Sequence, residues 1–519
     1  MKPPAKGRSI AILGIAGCGA VCLCLVAAVS GAGFLSRFVG VPEPAARKGT
    51  LPAAPAYTVL PTAAPTKESS GTAPEGIGSD GIGDPYFPQM GNGGYDVQHY
   101  DVDVNVDMNV EEIRAAVRID ARSLQRLSRF NLDFKGLTIT SLKVNGTEAE
   151  FSREEGELVV TPSAEIPSGT EFVVDVEYAG RPTEDEPQEG MEFLEGWNFY
   201  PEGVIVAGEP AGAETWYPSN NHPLDKATFA FRVTVAKPFV AAANGVLHAR
   251  TDNGDGTWTY VWAMDDPMAT YLATIAISNF EVRERTSKTG IAVRDYLDAD
   301  IRRKVEDSTA VLPDALDFFS TIFGPYPFDA CGVVVHELAL PFSLENQTLI
   351  VMGYTFAFET VVVHELAHQW FGDSVSVASW KDIWLNEGFA SYAEALWWEH
   401  TLGYGALEQD LTERYEYLAG MSGSRIDPIG DPGPDHLFDP EVYDRGALTM
   451  HALRLKVGDA AFFRILKEYF QKFKNRNAST ADFIDLAEEI SGQELDEFFN
   501  IWLYETALPD IPEMELYHE

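Results

Sequence analysis

Polar and apolar residues alternate along Asp101-Val102-Asp103-Val104-Asn105-Val106-Asp107-Met108, so Val102, Val104, Val106 and Met108 share one face of an extended chain. This pattern predicts a half-buried strand. Further short strands follow to about Arg285, separated by turn signals at Asn145-Gly146, Pro167-Ser168-Gly169 and Asn253-Gly254-Asp255-Gly256. The unit they imply, residues 95–285, is β-rich and sandwich-like. Beyond it the pattern turns to mixed strand and helix, with long helical runs from Gly403 to Phe498-Phe499-Asn500-Ile501-Trp502. Val363, Leu366, Ala367, Trp370 and Phe371 recur at helical spacing and Gly372 stops them, which predicts a buried helix. A second run begins near Trp384 and continues through Tyr392, Leu396 and Trp397 towards Gly403. The fold class is α+β multidomain: a β-rich N-terminal domain, then a mixed α/β domain over residues 286–519.

Two segments fit neither period. Lys2, Lys6 and Arg8 precede an uncharged run over residues 9–36, longer than the roughly 20 residues a helix needs to cross a bilayer. Residues 1–36 are therefore expected to be a signal-anchor or transmembrane segment, with the bulk of the chain outside the cytoplasm at the cell membrane. Ile15-Ala16-Gly17-Cys18 resembles a bacterial lipobox, so a lipoprotein anchored through Cys18, or a secreted protein, is the alternative. Residues 37–94 are rich in Pro, Ala, Thr, Gly and Ser and are expected to form a disordered tether.

With 519 residues, 45% of them apolar, the chain has enough material for two or three cores. A formal charge of −41 argues strongly against nucleic acid as a partner, since binding it needs a basic surface to neutralise phosphates. Cys18, Cys22 and Cys24 lie in the apolar N-terminal run, so Cys331 stands alone and no disulfide framework exists within the domains. Cys331, just before Val333-Val334-Val335, is expected to be a buried strand residue. Asp252 to Gly256 is expected to be a hairpin turn rather than a calcium loop, since the remaining acidic ligands of such a loop are missing.

The chemistry concentrates in His364-Glu365-Leu366-Ala367-His368. Imidazoles four residues apart lie on one helical face and can share an ion, with Glu365 beside them. Two ordinary core histidines would give the same short pattern. Eighteen residues intervene between His368 and Glu387, which opens the next helical run in Trp384-Leu385-Asn386-Glu387-Gly388-Phe389-Ala390 and can complete a two-His, one-Glu set. Three protein ligands leave a fourth position for water, the arrangement of a catalytic zinc. His336-Glu337-Leu338-Ala339-Leu340 starts like the motif but has Leu340 in place of the second His, and reads as the end of a buried strand.

Together, His364 to Gly372 and Trp384 to Ala390 resemble the gluzincin zinc aminopeptidases related to aminopeptidase N. The resemblance implies a thermolysin-like zinc peptidase domain over residues 286–519, a short form without the family's C-terminal helical domain, and a more open cleft. It implies Zn2+ on His364, His368 and Glu387, Glu365 as general base, and Tyr443 as oxyanion donor from a segment similar to the family's Tyr-x-Lys-Gly-Ala, with Arg445 in place of Lys. Phe342-Ser343-Leu344-Glu345-Asn346 stands where the family has Gly-x-Met-Glu-Asn. Glu345 and Asn346 are accordingly expected to bind substrate, with Glu209 of Glu209-Pro210-Ala211-Gly212-Ala213 as a second anchor for the free α-amine. Asp382 is a candidate support for the ligands. The Asn346-Gln347-Thr348 sequon is disregarded, because a glycan there would block the site. The expected substrates are peptides with a free N-terminus. A zinc endopeptidase, or a non-catalytic binding or scaffold protein on the same fold, is the alternative.

Overall fold

The structure, a computed structural model, describes residues 76–154, 156–182, 195–338, 340, 342–421 and 427–517. The signal-anchor, Cys18 and the tether as far as residue 75 lie outside the described residues. Among the described residues no helix is long and apolar enough to cross a membrane.

The alternating stretch forms the strand Tyr95–Asp107, with Val102, Val104 and Val106 buried and Asp101, Asn105 and Asp107 exposed. Met108 falls just past its end. A register shift between Val97 and His99 lets Tyr95 and Val97 face the same core as Tyr100 and Val102, which a strict alternation would forbid. This strand is central in an eight-stranded sheet, parallel to Ala227–Ala236 on one side and antiparallel to Glu112–Ser123 on the other. Asn145 and Gly146, with φ of 52° and 75°, make the two-residue turn that pairs Val144 with Thr147. The Asn253–Gly256 stretch is likewise a hairpin turn. The carboxylates of Asp252 and Asp255 accept from the backbone N–H groups of Gly254 and Thr257, so they serve the turn itself. A three-stranded and a four-stranded sheet complete this β-rich half.

The C-terminal half is built on a five-stranded mixed sheet ordered Phe280–Thr286, Ala292–Asp298, Ala330–His336, Ile350–Gly353, Ser343–Leu344. Phe280–Thr286 pairs antiparallel with Ala292–Asp298 along its whole length, so the boundary expected at residue 285 lies before Phe280 instead. A short edge strand carries no signal of which sheet it will join. His336 ends a fully buried strand, as its sequence context implied, and burial pushes the Cys331 thiol on that strand up to about 12, which leaves it inert.

Residues 76–94 correct the tether's expected extent. Asp84, Met90 and Asn92 are buried, and bridges join Ile77 to Arg129 and Asp80 to Asn92. Glycines that read as linker composition serve close packing here: Gly81 has φ +102°, and a Cβ on it would lie 1.8 Å from the Pro88 carbonyl oxygen.

Candidate active site

The motif helix, Glu359–His368, is buried along the run from Val361 to His368. It packs against the helix Trp384–Leu402, which carries Glu387 in its first turn. That second helix crosses Pro440–Val457 at Gly388 and Gly446, where a Cβ on Gly446 would come within 2.6 Å of the Gly388 Cα. Only two glycines permit this approach. It is what brings Tyr443, three residues before Gly446, beside the ligands: its ring stacks on that of His364 with centroids 5.9 Å apart.

His364 Nε2 lies 3.1 Å from His368 Nε2 and 3.3 Å from Glu387 Oε2, and the last pair, His368 Nε2 to Glu387 Oε2, is at 3.5 Å. A tetrahedral zinc with bonds of about 2.0–2.1 Å separates its ligand atoms by roughly 3.3 Å, so this triangle is one face of such a tetrahedron. The opposite ring nitrogens are already engaged. His364 Nδ1 donates to Glu394 Oε1 at 2.7 Å and His368 Nδ1 donates to the Phe371 carbonyl at 3.1 Å, which turns both Nε2 lone pairs inward. The donor set therefore fits zinc. Burial works against Glu387 ionising, yet His368 and His364 hold its carboxyl down to about 2. Burial also works against a proton on His364, and Glu387 and Glu394 overcome it. A field that favours a proton on an imidazole equally favours a divalent cation between the rings.

Glu394 was missed in the sequence, although it stands two helical turns after Glu387 on the same face. Its second oxygen accepts from Arg414 Nη2 at 2.8 Å, and Arg414 also donates to Asp444 and Asp410, so the support for His364 runs through three helices. Asp382, the residue expected in this role, points elsewhere. It accepts from the Thr480 hydroxyl at 2.7 Å and from the Thr480 N–H, at the start of the helix Thr480–Ser491. Arg445 supports the fold: buried, it donates to the carbonyls of Ile501, Trp502, Glu505 and Ala507 at the end of the Asp496–Leu503 helix, a task for which a forked guanidinium suits better than an ammonium.

Glu365 sits beside the triangle, and burial pushes its carboxyl up to about 8 against the pull of His364 and His368. Glu345 is buried just after the edge strand Ser343–Leu344; Gln369, the residue following His368, donates to the Glu345 carbonyl at 2.7 Å and accepts from Thr348 N–H. Tyr271 OH stands 3.5 Å from Glu345 Oε1. Asn346 donates to the Leu272 carbonyl at 3.0 Å, and its own Oδ1 is buried without a partner among the described residues. Asn346, Gln347 and Thr348 are all buried, which removes the sequon from use. Glu209 comes from the β-rich half. Burial raises its carboxyl well above the ordinary range, and the charges of Glu345, Glu387 and Glu365 raise it further; its Oε1 has no partner among the described residues. Tyr443 is raised by burial and then by Glu387, Glu209 and Glu365, so its hydroxyl stays protonated amid the carboxylates.

The pattern described as "Peptidase family M1 domain" matches residues 316–502, and "Peptidase M1 N-terminal domain" matches residues 96–272. Aminopeptidase M1-B of Oryza sativa is 27% identical over 418 residues, which cover 73% of this chain and 46% of that protein. Leucyl aminopeptidase of Saccharolobus solfataricus is 28% identical over 423 residues, covering 73% of this chain and 50% of that one. The chain thus spans about half the length of these relatives. The solved M1 zinc metallopeptidase of Deinococcus radiodurans, a mutant bound to a Tyr-Ser-Ala substrate, shares 32% identity with a TM-score of 0.77, over 83% of this chain and 99% of that one.

Proposed function

Since the chain belongs to peptidase family M1, we propose that it is a zinc aminopeptidase removing single residues from the free N-termini of peptides. The observation that carries this reading is the pair of buried carboxylates, Glu209 and Glu345, electrostatically coupled to a zinc-fitting triangle and without a Lys or Arg partner among the described residues. Several acidic groups in a water-poor pocket are unfavourable unless cations join them, and zinc and a substrate ammonium supply two.

Zinc held by His364, His368 and Glu387 supplies Lewis acidity towards a scissile carbonyl and towards water. Glu365 takes the proton from the attacking water and hands it to the departing amine, a role for which a carboxyl raised by burial is suited. Tyr443, kept protonated, donates to the oxyanion that develops on the carbonyl. Glu394 holds His364 in the Nδ1–H form, with Arg414 keeping Glu394 ionised. Glu209 and Glu345 anchor the ammonium, so cleavage falls one residue from it, and Asn346 stiffens the Glu345 segment against Leu272. The D. radiodurans neighbour with its Tyr-Ser-Ala substrate supports a short peptide as the substrate class. The uncharged run at residues 9–36 supports a membrane-tethered, extracytoplasmic protein.

The test is a matched pair of peptides, one free and one N-acetylated, assayed with and without a chelator. Acetylation keeps the scissile bond but removes the charge, so the acetylated peptide should be cut very poorly, and chelation should abolish cleavage of the free one. Similar rates on both, or cuts within long peptides, would transfer the assignment to a zinc endopeptidase. Zinc binding without any turnover would make the protein a binding scaffold.

A further inference from the structure

The ordered segment before the first domain strand makes more contact with the catalytic half than its composition suggests. Asp84, whose side chain is fully buried, accepts five hydrogen bonds. Its Oδ1 takes the N–H groups of Tyr86 and Phe87 at 2.8 and 3.1 Å, folding the segment on itself. Its Oδ2 takes His222 Nε2 at 3.2 Å, Ser379 Oγ at 2.9 Å and Trp380 N–H at 3.0 Å. The donor role of His222 is fixed, because its Nδ1 accepts from the Leu224 N–H. One carboxylate thus ties the β-rich half, through His222, to the turn Trp380–Asp382 that leads into the helix of Glu387.

The contacts then converge on one side chain. Trp380 donates from its indole to Met90 Sδ at 3.1 Å, and Phe87 meets its ring edge-on at 6.2 Å. Trp380 also packs against Tyr271 at 5.4 Å, and Tyr271 is the residue whose hydroxyl reaches Glu345. Tyr86, further along the segment, accepts from the Gly433 N–H at 2.9 Å and donates to Asp431, in the loop that leads to the helix of Tyr443.

We propose that residues 84–90 form an intramolecular clasp that positions the amine-binding wall through Trp380 and Tyr271, with Asp84 as its positioning residue. The inference rests on the aminopeptidase reading for what the wall binds, and adds the element that holds it. Asp84 touches neither the zinc triangle nor the substrate. Its loss should therefore alter recognition of the ammonium and leave zinc in place.

The test uses the full chain with Asp84→Asn, which keeps the size of the side chain but leaves one acceptor oxygen where two served five donors, so that its NH2 opposes either the Tyr86 and Phe87 N–H groups or His222, Ser379 and Trp380. Zinc content should match wild type. KM for a free-amine dipeptide should rise by about tenfold, comparable to one lost hydrogen bond, with a much smaller change in kcat. Discrimination against the N-acetylated peptide should shrink, and in a Glu365→Gln background the calorimetric Kd of the dipeptide should weaken in parallel. Should Asp84→Asn fail to fold, Met90→Ala and Phe87→Leu, which loosen only the Trp380 ring, should raise KM in the same way. Zinc-loaded variants with wild-type KM overturn the clasp, as does loss of zinc or a fall in kcat alone, which would make the segment a support of the metal centre. Wild-type indifference to acetylation is a failure of the aminopeptidase reading and removes the clasp's stated role with it. Discrimination that is present in wild type and intact in the variants is a failure of the clasp alone.

Discussion

The metal triangle and the wall proposed to bind the substrate amine are assembled in opposite ways. His364, Glu365 and His368 lie within about one turn of one buried helix, and Glu387 lies in the first turn of the next helix packed on it. Helical geometry alone sets most of their spacing. The wall takes Glu209 and Tyr271 from the β-rich half and Glu345 from the position just after an edge strand of the catalytic sheet. Its geometry depends on tertiary ties: Asn244 donates to the Leu272 and Gln347 carbonyls, Gln369 grips Glu345, and Asp84 seats Trp380. On the proposed function, chemistry is encoded locally and recognition non-locally, so damage to the first should appear in kcat and damage to the second in KM.

The largest break is Glu365→Gln. All three ligands remain, so zinc should stay bound, while turnover should fall by about 10²–10⁴-fold because no base takes the water proton. Metal analysis with kinetics reads both. A metal-free variant would make Glu365 a structural residue and remove the separation between ligands and base. Next is Tyr443→Phe, which deletes one hydroxyl beside His364 and should lower kcat by about 10²–10³ with a smaller change in KM. An unchanged kcat would leave Tyr443 as packing on the His364 ring.

This division also explains what could be read from the sequence. The motif helix, the Glu387 helix, the strand at Tyr95–Asp107 and the Asn145-Gly146 turn all follow from spacing within a few residues. Glu345 and Glu209 were legible only as parts of a family resemblance, since a lone Glu carries no local sign of a partner in another domain. Residues 76–94 were misread because a segment of irregular backbone has no hydrophobic period, and its order comes from Asp84 bonds to residues more than a hundred positions away. Glu394 had a local signal, the two-turn spacing from Glu387, whereas Arg414 and the direction of Asp382 did not.

Glu394→Gln sharpens the local side of the comparison. Gln can accept from His364 Nδ1 only by turning its amide towards Arg414, itself a donor, so the imidazole loses basicity and orientation. Zinc affinity should weaken by about 10–100-fold, read by competition with a chelator, while kcat at saturating zinc should change less than in Tyr443→Phe. Unaltered affinity would mean that helix packing alone orients His364.

The smallest effect is expected at Asp382, which lies close to Glu387 in sequence but serves another element. Its Oδ1 accepts from Thr480 N–H, one of the open donors at the start of the helix Thr480–Ser491, and from the Thr480 hydroxyl, which in turn accepts from the Trp384 indole. Asp382→Ala leaves a buried N–H without an acceptor, at a cost of about 1–3 kcal/mol, while zinc affinity and kcat stay at wild-type values. Asp382→Asn should behave differently. Burial raises the Asp382 carboxyl above its ordinary value despite the two Thr480 bonds. A raised carboxyl favours the folded state below its unfolded pKa and loses that advantage as pH climbs through the folded one, so at neutral pH ionisation works against the fold. Asn keeps the acceptor and carries no charge, so this variant should be at least as stable as wild type at pH 7 and lose that edge as the pH is lowered. Thermal unfolding of the two variants at pH 5 and pH 7, with zinc titration alongside, separates the roles: a tenfold loss of zinc affinity in either one would return Asp382 to the support of the metal set.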